Sequence, residues 1–162
     1  MSRLDSFIRR LEAQRACIDL AVALVKDLPG PALELGLGNG RTFDHLRDRM
    51  PDRPLYAFDR QNNAHPDCQP APDHLFLGEF SATIGEAVAK LGPSAALVHC
   101  DTGSGDVAAT AAQAAWLGPA LRPLLRAGAV VISDQPLSVQ GFTALPLPDG
   151  VREGRYFLYR AG

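Results

Sequence analysis

Short apolar segments alternate with helix-forming segments along most of this chain, and this alternation restricts the folds that it can adopt. Apolar residues recur at helical spacing over residues 2–28, and Pro29-Gly30 ends that pattern. The remaining pattern predicts strands at 32–35, 55–58, 75–77, 95–100 and 129–133, separated by helices at 42–50, 82–91 and 107–126. Strands and helices in this order predict a parallel sheet that is covered by helices on both faces.

The end of the chain departs from this alternation. Residues 142–147 and 155–160 flank the turn PDGVREG, which predicts an antiparallel hairpin. We therefore predict an α/β fold with a doubly wound, mostly parallel seven-stranded sheet, a C-terminal antiparallel hairpin and a preceding N-terminal helix. The length of 162 residues fits a single domain over 1–162, made of a helix at 1–29 and a core at 30–162.

Charge and composition exclude several classes of function. The net charge is −2 without any block of like charges, so we expect no nucleic-acid partner and no membrane partner. No apolar run approaches the ~20 residues of a membrane span, and the charged N-terminus does not resemble a secretory signal. The three separated cysteines match neither a disulfide framework nor a metal knuckle, which favours a reducing, cytoplasmic setting.

The segment ELGLGNG, from Glu34 to Gly40, follows the first predicted strand and precedes a helix. Its glycines supply the backbone angles of a tight turn and leave room for a ligand against the main chain. Glu34 would repel a pyrophosphate and favour a cationic ligand that carries an amino group and a sulfonium. Dinucleotide enzymes prefer the spacing GxGxxG, whereas this loop has GxGxG, so a nicotinamide-dependent oxidoreductase is the less favoured alternative.

Acidic residues end three of the predicted strands. Asp59 follows the second strand, where a carboxylate ~20 residues beyond such a loop accepts hydrogen bonds from ribose hydroxyls. Asp101 and Asp134 end strands four and five, in VHCDTG and VISDQP. Open α/β sheets bind ligands at this edge, but aspartate also forms turns there, so the role of these two residues stays open.

Together, ELGLGNG, YAFDR and the acids after strands four and five resemble the class I S-adenosylmethionine-dependent methyltransferases, over roughly residues 30–162. The resemblance implies a Rossmann-like methyltransferase fold with S-adenosyl-L-methionine as cofactor. The glycine loop would line the methionine half, Asp59 would bind the ribose, residues 58, 60 and 78–80 would flank the adenine, and Asp101 would be the catalytic residue beside the sulfonium. The implied cofactor-binding residues are Glu34, Gly36, Leu37, Gly38, Asn39, Gly40, Phe58, Asp59, Arg60, Gly78, Glu79, Phe80 and Asp101.

A magnesium site is an alternative at the acids after strands four and five. Catechol-type O-methyltransferases hold Mg²⁺ between an acid after strand four and an Asp-Asn pair after strand five, and VISDQP is similar. Oxygen ligands from Asp101, Asp134 and Gln135 suit Mg²⁺. Because Gln135 stands where that family has the shorter Asn, we predict no metal site.

The predicted function is methyl transfer from S-adenosylmethionine to a small-molecule acceptor through an oxygen or nitrogen nucleophile. The chain lacks the [DNS]PP[YFW] motif of adenine or glutamine amino-methylation, and it has no lengthy insertion for substrate recognition. The apolar stripe of the first helix predicts that this helix covers the cofactor pocket and packs in a homo-oligomer. A non-catalytic protein that binds S-adenosylmethionine or S-adenosylhomocysteine is the main alternative.

Overall fold

The computed structural model describes residues 2–162, so residue 1 of the predicted domain range lies outside the described residues. The helices are α1 (Arg3–Leu24), α2 (Arg41–Arg49), α3 (Phe80–Leu91) and α4 (Val107–Leu121). The strands are β1 (Ala32–Leu35), β2 (Leu55–Asp59), β3 (Leu75–Leu77), β4 (Ala95–Cys100), β5 (Leu125–Ser133), β6 (Phe142–Ala144) and β7 (Phe157–Ala161). Short 3₁₀ turns occur at Pro66–Cys68, Pro72–His74 and Arg122–Leu124.

The strands form one seven-stranded sheet in the order β3-β2-β1-β4-β5-β7-β6. Strands β1 to β5 are parallel, and β7 lies antiparallel between β5 and β6. The predicted doubly wound sheet with an antiparallel C-terminal pair is therefore confirmed. Strand order reverses between β1 and β4, and ligands of such sheets bind outside the carboxyl ends of the strands at this switch point.

Both faces of the sheet are covered, as the alternation predicts. One apolar cluster joins Cys17 and Ile18 of α1 to Phe43 and Leu46 of α2. A second cluster, on the opposite face, contains residues of α3 and α4, such as Ile84 and Leu117. Burial on both sides explains why the central strands are almost entirely apolar. In the part of the chain that is described, no helix combines the length and apolar character needed to span a membrane.

The boundary between α4 and β5 differs from the prediction. The predicted helix at 107–126 ends at Leu121, and β5 begins at Leu125 instead of Ala129. Pro123 has no N–H group to continue the helical hydrogen bonding, so the chain passes through a 3₁₀ turn at Arg122–Leu124 into the strand. The β4–β5 register then shifts between Ala95 and Leu97. Because of this irregularity, residue periodicity does not predict where β5 begins.

Helix α1 begins at a capping box in which Ser2 and Asp5 exchange hydrogen bonds of 3.0 Å. It ends at Leu24, before the predicted end at residue 28, and only its second half is buried in the sheet-facing core. The first half exposes four large apolar side chains: Leu4, Phe7, Ile8 and Leu11. The apolar stripe predicted along the whole helix therefore serves the core at one end only.

Gly36 and Gly38, in the loop after β1, differ in the space available for a side chain. This difference predicts that substitution destabilises the protein more at Gly36 than at Gly38. A Cβ atom on Gly36 would lie 2.2 Å from the Asp101 carbonyl oxygen, whereas a Cβ atom on Gly38 would meet nothing within 4 Å. Both have positive φ, which costs a non-glycine residue about 1–2 kcal/mol. We expect Gly36→Ala to lower the free energy of unfolding by about 1–3 kcal/mol more than Gly38→Ala, the usual cost of overpacking. Urea unfolding measures both; equal losses would contradict the close Gly36 contact.

Candidate cofactor site

Residues 36–40 carry the chain from β1 into α2 by way of three left-handed glycines. The φ angles are +89° at Gly36, +52° at Gly38 and +86° at Gly40, values that side chains rarely adopt. Packing explains two of them, because a Cβ atom at Gly40 would lie 2.6 Å from the Cβ of Cys68 and Gly36 abuts β4. Gly38 faces open space, so its lack of a side chain leaves room for a ligand rather than for the protein.

Asp59, at the carboxyl end of β2, faces this loop directly. Its Oδ2 accepts a hydrogen bond of 2.9 Å from the Gly38 N–H, and its Oδ1 accepts one of 3.4 Å from the Gln61 N–H. The glycine loop and the β2 acid therefore border one crevice. A ligand that touches the carboxylate of Asp59 would also lie against the bare backbone of Gly38.

Two cavities are lined by residues near Asp59, which itself lines neither. The first, which we call the loop cavity, measures about 290 Å³ and is lined by Phe7, Arg10, Leu11, Gln14, Gly36, Leu37, Gly38, Asn39, Arg41, Thr42, Asp101 and Gly103. The second, the Trp116 cavity, measures about 410 Å³ and is lined by Arg60, Glu79, Phe80, Ser81, Ala109, Ala112, Gln113 and Trp116. The Asp59 carboxylate accepts a hydrogen bond from Gly38, which lines the first cavity, and Asp59 directly precedes Arg60, which lines the second.

Helix α1 reaches the mouth of β4 through two polar side chains that the sequence argument missed. One amino group of Arg10, Nη2, lies 3.2 and 3.1 Å from the two carboxylate oxygens of Asp101. The Gln14 side-chain amide donates a further hydrogen bond of 2.7 Å to the same carboxylate. Burial lowers the pKa of the Arg10 guanidinium, but Asp101 and Tyr156 together outweigh it and leave that pKa raised. The spacing of Arg10 and Gln14, one helical turn apart beside an apolar stripe, was the available sequence signal.

Glu34 lies beneath the glycine loop instead of lining the loop cavity. The side chain has no solvent exposure. It accepts hydrogen bonds from the Thr42 hydroxyl of α2 and, at 2.8 Å, from Nδ1 of His99 in β4. Burial lowers the pKa of His99, but the charge and hydrogen bond of Glu34, with Asp101 and Asp134, outweigh it and leave that pKa raised. Its predicted contact with a cofactor stays a prediction; its contacts here brace both ends of the loop.

The residues predicted to flank an adenine separate into two environments. Arg60, Glu79 and Phe80 line the Trp116 cavity, with the Arg60 Nε 3.8 Å from a Glu79 carboxylate oxygen. Gly78 hydrogen-bonds through its N–H to the Asp59 carbonyl at 3.0 Å, which holds β3 beside β2. Phe58 is fully buried and stacks on Phe76 in the core, with ring centroids 4.7 Å apart.

Two residues of the glycine loop and one of α4 also line the two cavities. Leu37 is 2% exposed and belongs to the apolar cluster under the loop, although it borders the loop cavity. Asn39 is exposed, and its side-chain carbonyl accepts a hydrogen bond of 3.3 Å from the Arg41 N–H at the start of α2. Trp116, in the middle of α4, is 40% exposed and lines the second cavity.

The contacts of Asp134 and Gln135 do not fit the magnesium alternative. Asp134 accepts hydrogen bonds from the N–H groups of Thr102, at 3.3 Å, and Gly103, at 3.0 Å. Gln135 turns its amide nitrogen, not its oxygen, toward the Asp134 carboxylate at 3.4 Å. Burial and the nearby charge of Asp101 raise the pKa of Asp134. Within residues 2–162, no three His, Cys, Asp or Glu side chains are arranged to hold a metal ion, and we derive no step through one.

The sheet order, the glycine loop at the switch point and the acid after β2 define a Rossmann-like methyltransferase fold. The model of the S-adenosyl-L-methionine methyltransferase family matches residues 1–161, and the chain belongs to that family. It is an S-adenosyl-L-methionine-dependent methyltransferase, and this cosubstrate is its methyl donor.

Solved structures agree with this assignment. An S-adenosyl-L-methionine methyl transferase from Silicibacter pomeroyi DSS-3 is 40% identical, with a TM-score of 0.94 over 100% of this chain and 99% of that one. The antibiotic-resistance methyltransferase Kmr shares the fold at 16% identity, with a TM-score of 0.56 over 91% and 92% of the two chains. The fibrillarin pre-rRNA processing protein of Methanococcus jannaschii does so at 16% identity, with a TM-score of 0.57 over 88% and 74%. No curated protein sequence matches the chain significantly.

The described residues fit S-adenosylmethionine. The space at Gly38 admits a ligand against the main chain, and Asp59 offers carboxylate oxygens near two cavities. The loop cavity contains one carboxylate, Asp101, and two guanidinium groups, Arg10 and Arg41, a charge set that suits an amino-acid zwitterion.

The raised pKa of His99 predicts how stability depends on pH. A group whose pKa is higher in the folded protein stabilises it below the unfolded value, ~6.5 for histidine, and loses this contribution as pH rises through the folded value. We expect the free energy of unfolding to fall more steeply as pH rises above ~6.5 in the native protein than in His99→Gln or Glu34→Gln. Urea titrations across this range measure the slopes, and parallel slopes in all three proteins would refute the charged pair.

The position of Asp59 predicts its contribution to ligand affinity. We expect Asp59→Ala to weaken S-adenosylhomocysteine binding by about 1.5–3 kcal/mol, roughly 10- to 100-fold, because a charged acceptor is lost. Trp116 is the only tryptophan and lines the second cavity, so its fluorescence reports the titration. Asp52→Ala, an exposed acid in the turn before β2, is the matched control. Unchanged affinity in Asp59→Ala would remove this residue from the site.

Proposed function

We propose that this methyltransferase acts on a small molecule, at an oxygen or nitrogen nucleophile, with Asp101 as its catalytic residue. The observation that carries the proposal is the position of Asp101, which lines the loop cavity at the end of β4 and is fixed there by Arg10 and Gln14 of α1. Reacting groups meet at the carboxyl ends of parallel strands in folds of this type.

S-adenosylmethionine supplies a methyl group that is activated by its positively charged sulfonium, so the protein has to provide position and electrostatics. Asp59 would bind the ribose, and the backbone at Gly38 beside it would lie against the methionine half. Phe7 and Leu11 of α1 line the loop cavity and would exclude water from the reacting atoms.

Asp101 would act through its charge and its fixed orientation. Three N–H···O contacts from Arg10 and Gln14 hold the carboxylate in one rotamer, and its side chain is 21% exposed. A carboxylate whose orientation is fixed before the ligand arrives is suited to positioning a cationic group. We therefore assign it the position beside the sulfonium rather than removal of the acceptor's proton.

The two cavities near Asp59 measure about 290 and 410 Å³, within or near the usual range for small-molecule sites, which suits the cosubstrate. The overall charge bears on the acceptor. The net charge of −2 supports the absence of a nucleic-acid acceptor.

We also propose that the chain forms a single domain and a homo-oligomer. Helix α1 shares one apolar cluster with the sheet, which supports a single domain over residues 1–162. The exposed apolar residues of its first half, Leu4, Phe7, Ile8 and Leu11, support a homo-oligomer in which a second copy covers them.

The acceptor and the role of Asp101 can be tested together. The protein is incubated with methyl-labelled S-adenosylmethionine and with metabolite fractions separated by mass, and labelled products are identified by mass spectrometry. We expect label in a small molecule, and at least tenfold slower turnover in Asp101→Asn at saturating cosubstrate, because the negative charge is lost. The control is Asp106→Asn, which retains a capping side chain at the start of α4.

Two results would contradict the proposal. Label confined to RNA or protein would exclude a small-molecule acceptor, and unchanged turnover in Asp101→Asn would exclude this residue from the chemistry. S-adenosylhomocysteine affinity of Asp101→Asn, measured by Trp116 fluorescence, separates a loss of cosubstrate binding from a loss of turnover.

A further inference from the structure

Four arginines line one cleft between α1 and the segment that joins β6 to β7. We call it the arginine cleft; it measures about 650 Å³ and lies outside both cavities described above. Arg9 and Arg15 come from α1, and Arg152 and Arg155 come from the joining segment. Two parts of the chain that are remote in sequence therefore bring four cationic side chains to one concave surface.

These four guanidinium groups have no anionic partner in the described part of the chain. Ion pairs form elsewhere, at Arg10, Arg47, Arg49 and Arg60, but none involves the four. The cleft also contains Glu12 and Asp149, so its formal charge is +2, four positive against two negative groups. The whole chain has a net charge of −2, so the sign of the charge in the cleft is opposite to that of the whole chain. Gathering like charges costs free energy, and a bound anion offsets that cost.

The sheet register places this cleft at the same edge as the proposed reaction. Phe157, the first residue of β7, pairs with Ser133, the last residue of β5. The segment before β7 therefore lies at the carboxyl edge of the parallel strands, next to Asp134 and on the same edge as Asp101. On the opposite wall, Arg9 directly precedes Arg10, which holds Asp101.

Tyr156 follows Arg155 and is 1% exposed, although it lines neither the cleft nor the loop cavity. Burial and then the charge of Asp101 raise the pKa of its phenol to about 12, whereas the hydrogen bond and charge of Arg10 lower it. Tyr156 therefore packs near the Arg10–Asp101 pair, directly after the arginine that forms part of the cleft.

We propose that the arginine cleft binds an anionic group, a phosphate or a carboxylate, of the methyl acceptor. Guanidinium groups recognise both anions through paired N–H donors. The inference rests on the proposed function, because it places the acceptor's nucleophile toward Asp101 while its anionic group lies between Arg9 and Arg152. The acceptor class is then a small hydroxyl or amino compound that carries phosphate or carboxylate.

Calorimetric titration of the full chain with inorganic pyrophosphate and, separately, with malonate tests the cleft. Each titration is made with and without saturating S-adenosylhomocysteine. The variants are Arg152→Glu and Arg9→Glu, one on each wall, and Lys26→Glu is the matched control, an exposed residue outside the cleft with the same change in charge. Circular dichroism and thermal unfolding verify that each variant is folded.

We expect at least one probe to bind saturably, with affinity at least tenfold weaker in Arg152→Glu and Arg9→Glu and within twofold of native in Lys26→Glu. Tighter binding of pyrophosphate would assign a phosphorylated acceptor, and tighter binding of malonate a carboxylated one. S-adenosylhomocysteine should leave the anion affinity nearly unchanged, because the cleft and the loop cavity have no lining residue in common.

Three results would overturn the inference: no saturable binding of either anion, equal weakening in Lys26→Glu, or competition between the anion and S-adenosylhomocysteine, which would place the anion at the glycine loop. Failure of S-adenosylhomocysteine itself to bind would contradict the proposed function instead, and the titrations without it would still test the cleft.

Discussion

The geometry of the site depends on the contacts that the buried carboxylate of Glu34 makes with Thr42 and His99. A charge without solvent exposure has to be paired, and Glu34 satisfies this requirement with His99 of β4 on one side and Thr42 of α2 on the other. These contacts join the two strands at the switch point to the helix that follows the glycine loop. The open backbone at Gly38 is thus held from below by polar contacts, while Asp59 holds it from the side.

Helix α1 adds the second half of the arrangement. Its C-terminal half packs in the sheet-facing core, and its N-terminal half carries Arg10 and Gln14 to Asp101. The core packing therefore sets the position of the contacts with Asp101, because both belong to one helix. The same helix forms one wall of the loop cavity and one wall of the arginine cleft, so it separates the place proposed for the cosubstrate from the place proposed for the acceptor's anionic group.

Local patterns predicted the sheet because each strand is a short apolar run between clear breaks, and they predicted the glycine loop and Asp59 because both follow strands directly. Other features depend on tertiary contacts. The role of Glu34 is decided by His99, remote in sequence, and no spacing rule links them. Phe58 adjoins Asp59 yet turns into the core, since successive side chains of a strand point to opposite faces. The end of α4 was predicted too late, because the Ala- and Leu-rich composition continues past Leu121 and predicts a helix there, whereas the chain forms a 3₁₀ turn at Pro123.

The two outermost strands of the sheet, β3 and β6, contain only three residues each. A short edge presents few free backbone donors and acceptors, so it is a poor template for adding strands from another molecule. Self-association through a continuous intermolecular sheet is therefore disfavoured by the architecture itself. Contacts between copies of this chain would then be made by side chains, with each sheet remaining a closed unit.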